Sequence, residues 1–187
     1  MNGMGGEVRT HTLSVLVENH AGVLSHIAGL FARRGFNIDS LAVGMTENPR
    51  LSRMTIVVTG DDHIVEQLEK QLNKQIDVIK VKHLNEADLI SRELMLIKVT
   101  ATAQTRKDIM DIAQIMSARI LDISPDTLTI ELCDTTERCH LLQSLLKPYQ
   151  VREVVTTGTS AIERGSASIT DKRPGSAKPP LDLSPKP

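Results

Sequence analysis

The residues whose types and spacing best suit ligand binding lie in and just after the polar turn 18–23. A helical pattern begins after Gly22. The first N–H groups of a helix have no intrahelical partner and lie at the positive end of its dipole, so they can bind a carboxylate. Gly22 has no Cβ that would block a ligand. Asn19 and Asn37 are expected to bracket the turn, and each amide can donate and accept hydrogen bonds, as the two ends of an amino acid require. The same residues also suit a simpler role, with Asn19 as a turn or cap residue and Gly22 as a turn glycine.

The elements on either side of this turn are a predicted strand and a predicted helix. Leu13, Val15 and Val17 occupy alternate positions, which is typical of a strand with one buried face. After the turn, the apolar residues follow a helical period; they are Val23, Leu24, Ile27, Leu30 and Phe31. Gly35 suits the end of this helix because it tolerates a positive φ, and residues 36–38 are predicted to start the next strand.

Two similar halves are predicted along the chain. The first half continues with strands at 53–59 and 78–84 around a helix whose apolar stripe is Ile64, Val65, Leu68 and Leu72. This order, β–α–β–β–α–β, is typical of a ferredoxin-like domain. In the second half, strands are predicted at 94–101, 119–123, 127–132 and 151–157, with one helix from about Thr105 and another that begins near Asp134 and Glu137. The predicted fold class is therefore α+β, with two ferredoxin-like domains.

The predicted boundaries follow changes in composition. They are a flexible N-terminus at 1–10, a first domain at 11–85, a polar connector at 86–93, a second domain at 94–164 and a tail at 165–187. The tail holds five of the eight prolines and little apolar surface, so it is predicted to be disordered. In the first sheet, Leu16 points to the face without helices. It is expected to lack cover within the chain, which suggests pairing with a second subunit.

Composition excludes several function classes. The net charge is −1 and aromatic residues make up 2% of the chain, so neither a basic footprint nor a base-stacking surface for nucleic acid is present. The two cysteines, Cys133 and Cys139, form neither a zinc ligand set nor a disulfide framework, which fits a reducing cytosol. No secretory leader pattern or apolar run of ~20 residues is found. We therefore expect a soluble cytoplasmic protein without membrane or nucleic-acid partners.

No arrangement of residues typical of catalysis is found. The sequence contains no nucleophile elbow, no glycine-rich phosphate loop with lysine and no HExxH motif. The six histidines are scattered, and no two lie three or four residues apart, so no metal site is predicted from local spacing. The chain is expected to be neither an enzyme by itself nor the carrier of a cofactor.

The stretch LSVLVENHAGVLSHIAGLFARRGFNIDSLAV, followed by LSRMTIVVTGDD, resembles the N-terminal ACT domain of acetolactate synthase (acetohydroxyacid synthase) small regulatory subunits. The resemblance continues through VEQLEKQLNKQIDVIKV and RELMLIKV and covers residues 11–164. It implies a non-catalytic subunit in branched-chain amino acid biosynthesis. Such a subunit activates a catalytic large subunit and confers feedback inhibition by valine. Thiamine diphosphate, Mg²⁺ and FAD are expected on the large subunit, not on this chain.

The resemblance also implies an effector site between the ACT domains of a homodimer. The matching positions in this sequence are Asn19, Gly22, Val23, Leu24, Asn37 and Ile38. Among these, three apolar side chains would enclose the isopropyl group of valine. Because one methylene changes binding by only ~1–3 kcal/mol, leucine or isoleucine remain possible effectors. His20 and Ala21 occupy turn positions that vary in the family, which leaves the effector preference open.

The sequence leaves two alternatives open. One is an ACT-type amino-acid sensor that regulates a different enzyme or transcription. The other is a small enzyme on a ferredoxin-like scaffold, such as an acylphosphatase. That activity requires an arginine in an anion-binding loop after the first strand, where this chain has Asn19, His20, Ala21 and Gly22.

Overall fold

A computed structural model describes residues 7–171 of the chain and confirms the α+β fold. The first sheet has four strands in the order β2-β3-β1-β4. Its strands are β1 (Arg9–Glu18), β2 (Ser40–Met45), β3 (Leu51–Gly60) and β4 (Val78–Leu84), and its helices are α1 (Val23–Arg34) and α2 (Asp62–Leu72). Within residues 7–171, no helix is both long enough and apolar enough to cross a membrane.

The core of the first sheet forms where the sequence pattern predicts it. Leu13, Val15 and Val17 are fully buried against one face of each helix. The helical residues in this core include Ile27, Leu30, Phe31, Val65, Leu68 and Leu72. The carboxylate of Asp61 accepts a hydrogen bond from Ile64 N at 2.8 Å, which satisfies one of the free N–H groups at the start of α2.

The second half repeats the arrangement, as predicted. Its sheet has the order β6-β7-β5-β8, and a further strand, β9, pairs with β5. The strands are β5 (Leu89–Thr100), β6 (Arg119–Ile123), β7 (Thr127–Asp134), β8 (Val151–Thr156) and β9 (Ser160–Glu163), and the helices are α3 (Arg106–Ile115) and α4 (Thr136–Leu146). Short 3₁₀ turns lie at Glu86–Asp88 and Lys147–Tyr149. Residues 91–160 form one compact unit, and residues 7–90 together with 161–171 form the other.

Three predicted local details are wrong. Strand β2 begins at Ser40, so residues 36–38 belong to the link between α1 and β2. Strand β5 begins at Leu89, inside the predicted connector, and it pairs with β9 as well as with β7 and β8. Helix α4 is capped by the Thr135 side chain, and the Asp134 carboxylate instead accepts from Thr135 N at 2.8 Å.

The prediction that Leu16 lacks cover within the chain is also wrong. Strand β1 is buried on both faces from His11 to Val17, because the helices cover one face and other residues of the chain cover Leu16 on the opposite face. Leu16 is only 1% exposed and packs with Leu51 and Ile169. The local pattern could not show this cover, because a single isoleucine in a polar segment forms no hydrophobic period.

Residues 161–171, which we call the C-terminal strap, include Ile169 and are attached to the first sheet by polar contacts. Ala161 N donates to Thr55 Oγ1 at 3.4 Å, Lys82 forms an ion pair with Glu163, and Lys80 donates to the Asp171 carbonyl. Residues 165–171 of the predicted disordered tail are thus part of the ordered first unit. The rest of that tail and most of the predicted flexible N-terminus lie outside the described residues.

Ile169→Ala is expected to lower the free energy of unfolding by about 2 kcal/mol, because it removes the buried side chain that covers Leu16. Ile162→Ala is the matched control, since this isoleucine of the same strap is half exposed and its loss should cost less than about 0.5 kcal/mol. Urea unfolding of the two full-length variants measures the difference. Equal losses in both variants would show that the strap does not cover Leu16 in solution.

Candidate functional site

The predicted ligand-binding turn connects β1 to α1 and is fixed to the neighbouring β2–β3 turn. Asn19 N donates to the Arg50 carbonyl at 2.7 Å, and Asn19 Nδ2 donates to the Pro49 carbonyl at 2.8 Å. The Oδ1 atom of the same amide can only accept hydrogen bonds. The side chain of Asn19 therefore positions the turn and offers an acceptor beside it.

Gly22 adopts a left-handed conformation at the start of α1. Its φ is 95° and its ψ is −20°, a conformation that L side chains rarely adopt. A Cβ placed on Gly22 would have no heavy atom within 4 Å, so the space in front of the backbone is open. A ligand can therefore approach this backbone closely.

Helix α1 begins with free amide groups. The first bond of the helix runs from His26 N to the Gly22 carbonyl at 3.0 Å, so the N–H groups of Val23, Leu24 and Ser25 precede the helical ladder. Among the described residues, no side chain caps this helix, and its first turn contains no acidic residue. The helix start thus presents a group of backbone donors at the positive end of a dipole, which suits a carboxylate.

Asn37 and Ile38 do not lie at this turn within one chain, so the expectation that Asn19 and Asn37 bracket it is wrong for a single copy. Both β1 and β2 are antiparallel to β3, so they run parallel to each other. Ser40 and Thr12 both pair with Val57, and Thr12 lies six residues before the end of β1. At ~3.3 Å per residue, the start of β2 is therefore about 20 Å from the turn.

The predicted effector-binding residues differ in how far they are exposed to a ligand. Val23 is buried in the core, Ile38 is half-buried against it, and Leu24 is 46% exposed beside the helix start. Asn37 is exposed, and its Nδ2 donates to Asp39 Oδ1 at 2.8 Å. Of the three apolar residues, Leu24 is thus the one most available to a ligand at the turn.

A charged cluster that sequence analysis missed lies next to the turn. Asp77, in the loop before β4, is buried and accepts from His26 Nδ1 at 2.8 Å and from His20 Nε2 at 3.1 Å through its two different oxygens. The Glu18 carboxylate lies 3.6 Å from His20 Nε2. Histidine spacing along the chain could not reveal this cluster, because His20 and Asp77 are 57 residues apart.

The cluster shifts the pKa of two of its members. The hydrogen bond from His20 to the Ala21 carbonyl raises the pKa of His20 above its ordinary value, and the negative charges of Asp77 and Glu18 act in the same direction. The hydrogen bond from His26 lowers the pKa of Asp77, and His20 adds to this effect. Asp77 is therefore ionised and ties the turn and the start of α1 to the loop before β4.

Comparison with known proteins identifies the family of the chain. The family described as AHAS small subunit-like ACT domain matches residues 13–80, and the family described as small subunit of acetolactate synthase matches residues 92–165. An acetolactate synthase small subunit from Mycolicibacterium smegmatis is 48% identical over 166 residues, which cover 89% of this chain and 98% of that protein. The chain belongs to the acetolactate synthase small subunit family.

Other members of the acetolactate synthase small subunit family support the same assignment. A probable acetolactate synthase small subunit from Methanothermobacter thermautotrophicus is 45% identical over 87% of this chain and 98% of its own length. A crystal structure of an acetolactate synthase small subunit from Thermotoga maritima matches with a TM-score of 0.79 and 38% identity, covering 85% of this chain and 99% of that one. The resemblance seen in the sequence is confirmed, and so is the predicted pair of ferredoxin-like domains, the first of which is an ACT domain.

Proposed function

We propose that this chain is the regulatory subunit of an acetolactate synthase, which activates a catalytic large subunit and makes it sensitive to feedback inhibition by valine. Membership of the small subunit family implies a large-subunit partner. Thiamine diphosphate, Mg²⁺ and FAD belong to that partner in this proposal, and this chain contributes no catalytic group. The observation that carries the effector part is the uncapped start of α1 behind the open, left-handed Gly22.

The chemistry of the turn fits a free branched-chain amino acid. The N–H groups of Val23, Leu24 and Ser25 would hold the carboxylate, as helix starts hold anions. The amide oxygen of Asn19 would accept from the ammonium group, since the Nδ2 of the same amide already bonds to Pro49. The exposed side chain of Leu24 would contact the isopropyl group. Leucine and isoleucine would bind by the same contacts.

A homodimer would bring the remaining predicted residues to the same site. Strand β2 is an edge of the first sheet, with Val43 and Met45 exposed. Unpaired edges readily pair with another chain. If two β2 strands pair antiparallel around a two-fold axis, the start of one β2 meets the end of the other. Residues 37 and 38 of one copy then lie at the end of the sheet where its partner has the 18–23 turn.

This dimer pairs through a different surface from the one that the sequence alone suggested. The expectation rested on an uncovered sheet face, but Leu16 is covered by the C-terminal strap. The open edge of β2 and the separation of Asn37 from the turn now support the dimer instead. An effector the size of valine cannot span about 20 Å, so Asn19 and Asn37 can share one ligand only if they come from two copies.

Inhibition would follow from thermodynamic linkage between valine binding and activation of the large subunit by this chain. Valine stabilises the conformation of the dimer that binds it best, and this conformation activates the large subunit less. A coupling of ~1–3 kcal/mol between the two events corresponds to a change of several-fold to about a hundred-fold. A ligand with equal affinity for both conformations would have no effect.

The proposal is tested by adding the purified full chain to a purified acetolactate synthase large subunit and measuring acetolactate formation. We expect turnover to rise with the added chain until the large subunit is saturated, and valine to reverse most of that increase. The large subunit alone, titrated with valine, is the control. No activation at saturating chain would contradict the regulatory role, and activation that leucine or isoleucine reverses better than valine would correct the effector.

A further inference from the structure

We propose that Glu18, His20 and Asp77 form a binding site for a divalent transition metal ion of the Zn²⁺ class. Each of the three residues presents one ligand atom, and these atoms all lie within 4.8 Å of one another. His20 Nε2 is 3.1 Å from Asp77 Oδ1 and 3.6 Å from Glu18 Oε2. In a tetrahedral zinc site with bonds near 2.1 Å, neighbouring ligand atoms are about 3.4 Å apart. Two of the three separations therefore already fit such a site.

The third separation is within reach of a small side-chain movement. The Glu18 carboxylate is 59% exposed, so it can turn toward the other two ligands without disturbing the core. Asp77 is held more firmly, because its side chain is buried and Glu18 N donates to its backbone carbonyl at 2.9 Å. The mobile ligand is thus on the solvent side, and a fourth coordination position would be open to water.

The neighbours of the three ligands orient them as the outer groups of a metal site do. His20 Nδ1 lies 3.0 Å from the Ala21 carbonyl, and a carbonyl can only accept, so Nδ1 carries a proton in either charge state of the ring. Nε2 donates to Asp77 while the ring is protonated, and it becomes the ligand atom when it loses that second proton. His26 Nδ1 donates to Asp77 Oδ2 at 2.8 Å and leaves Oδ1 for the metal. Backbone and side-chain partners of this kind fix ligand tautomer and direction in known sites.

The charges and atom types select the class of ion. Two carboxylates face one imidazole nitrogen, and a metal ion would replace the proton that Nε2 otherwise shares with them. Imidazole nitrogen favours zinc and similar transition metals, whereas Mg²⁺ and Ca²⁺ prefer sites made of oxygen alone. The bound ion would link the end of β1 and its turn to the loop before β4. This inference does not depend on the proposed regulation by valine.

The test is a calorimetric titration of the full-length chain with Zn²⁺ near neutral pH, after removal of metals with a chelator. We expect one site per chain, with an affinity that His20→Ala lowers by more than about tenfold. Glu18 is the other exposed ligand, so Glu18→Gln should also lower the affinity for Zn²⁺. His63→Ala is the matched control, because His63 is an exposed histidine whose ring bonds only to Gln67 among the described contacts.

Three results would overturn the inference. The first is no binding of Zn²⁺ up to millimolar concentration by the unmodified chain. The second is equal binding by His20→Ala and His63→Ala, which would assign the ion to scattered surface histidines. The third is displacement of Zn²⁺ by an equal concentration of Mg²⁺, which would indicate diffuse attraction to acidic groups. Circular dichroism of each variant verifies that the fold is retained.

Discussion

Gly22→Asp is expected to abolish inhibition by valine while leaving activation of the large subunit intact. The new carboxylate would occupy the open space in front of the helix start and accept from the free N–H groups that would otherwise hold the valine carboxylate. Loss of a charge-assisted set of hydrogen bonds costs ~1.5–3 kcal/mol, and repulsion between two carboxylates adds to it. The valine concentration for half inhibition should therefore rise about a hundred-fold or more, as measured by titrating the reconstituted enzyme.

Two controls separate charge at the site from backbone strain. Gly22→Ala introduces the same left-handed strain, roughly 1–2 kcal/mol, without a carboxylate, so most of the valine response should remain. Gly165→Asp places a carboxylate at another left-handed glycine with open space around it, and the valine response should be unchanged. Full valine inhibition of the Gly22→Asp enzyme would remove the turn from the effector site.

Val43→Pro is expected to convert the dimer to a monomer and to abolish valine inhibition with it. Thr46 N donates to the Leu51 carbonyl at 3.0 Å, and backbone N–H groups along a strand alternate in direction. The N–H and C=O groups of the even-numbered residues of β2 therefore point to β3, and the N–H of Val43 points to the open edge. Proline at this position removes an edge donor without breaking the ladder to β3, and edge positions tolerate proline. Analytical ultracentrifugation measures the mass, and valine titration of the reconstituted enzyme measures the response.

Val43→Ala is the matched variant for this experiment. It removes the same half-exposed side chain but keeps the backbone N–H. We expect it to remain a dimer that responds to valine. A dimeric Val43→Pro chain, with thermal unfolding close to that of the unmodified protein, would show that β2 is not the edge through which two copies pair.

Mixed dimers provide a sharper version of both predictions. If one copy supplies the turn and its partner supplies Asn37, then Gly22→Asp and Asn37→Ala chains each lack both sites when alone. A dimer that contains one chain of each kind has one site with both changes and one unmodified site. Mixing the two variants should therefore restore part of the valine binding that each has lost, as measured by calorimetry. No recovery on mixing would place the whole site within a single copy.

Local sequence patterns were sufficient for the elements that position the turn. The alternation of Leu13, Val15 and Val17 predicted the inner face of β1, and the helical period after Gly22 predicted α1 from its first residue. Such patterns depend on neighbours within a few positions, so the chain itself contains the information. The open backbone at Gly22 was also predictable, because glycine has no Cβ, and the positive φ predicted for Gly35 at the end of the helix is observed.

The sequence by itself determined the fold class, the family and the free helix start, because each depends on local periodicity or on a motif of neighbouring residues. Only the tertiary structure decided three other features. Ile169 covers Leu16, Asp77 joins His20, and Asn37 lies at the opposite end of the strands from Asn19. In each case the partners are distant in the chain, and the direction of the strands and the packing of the sheet determine whether they meet.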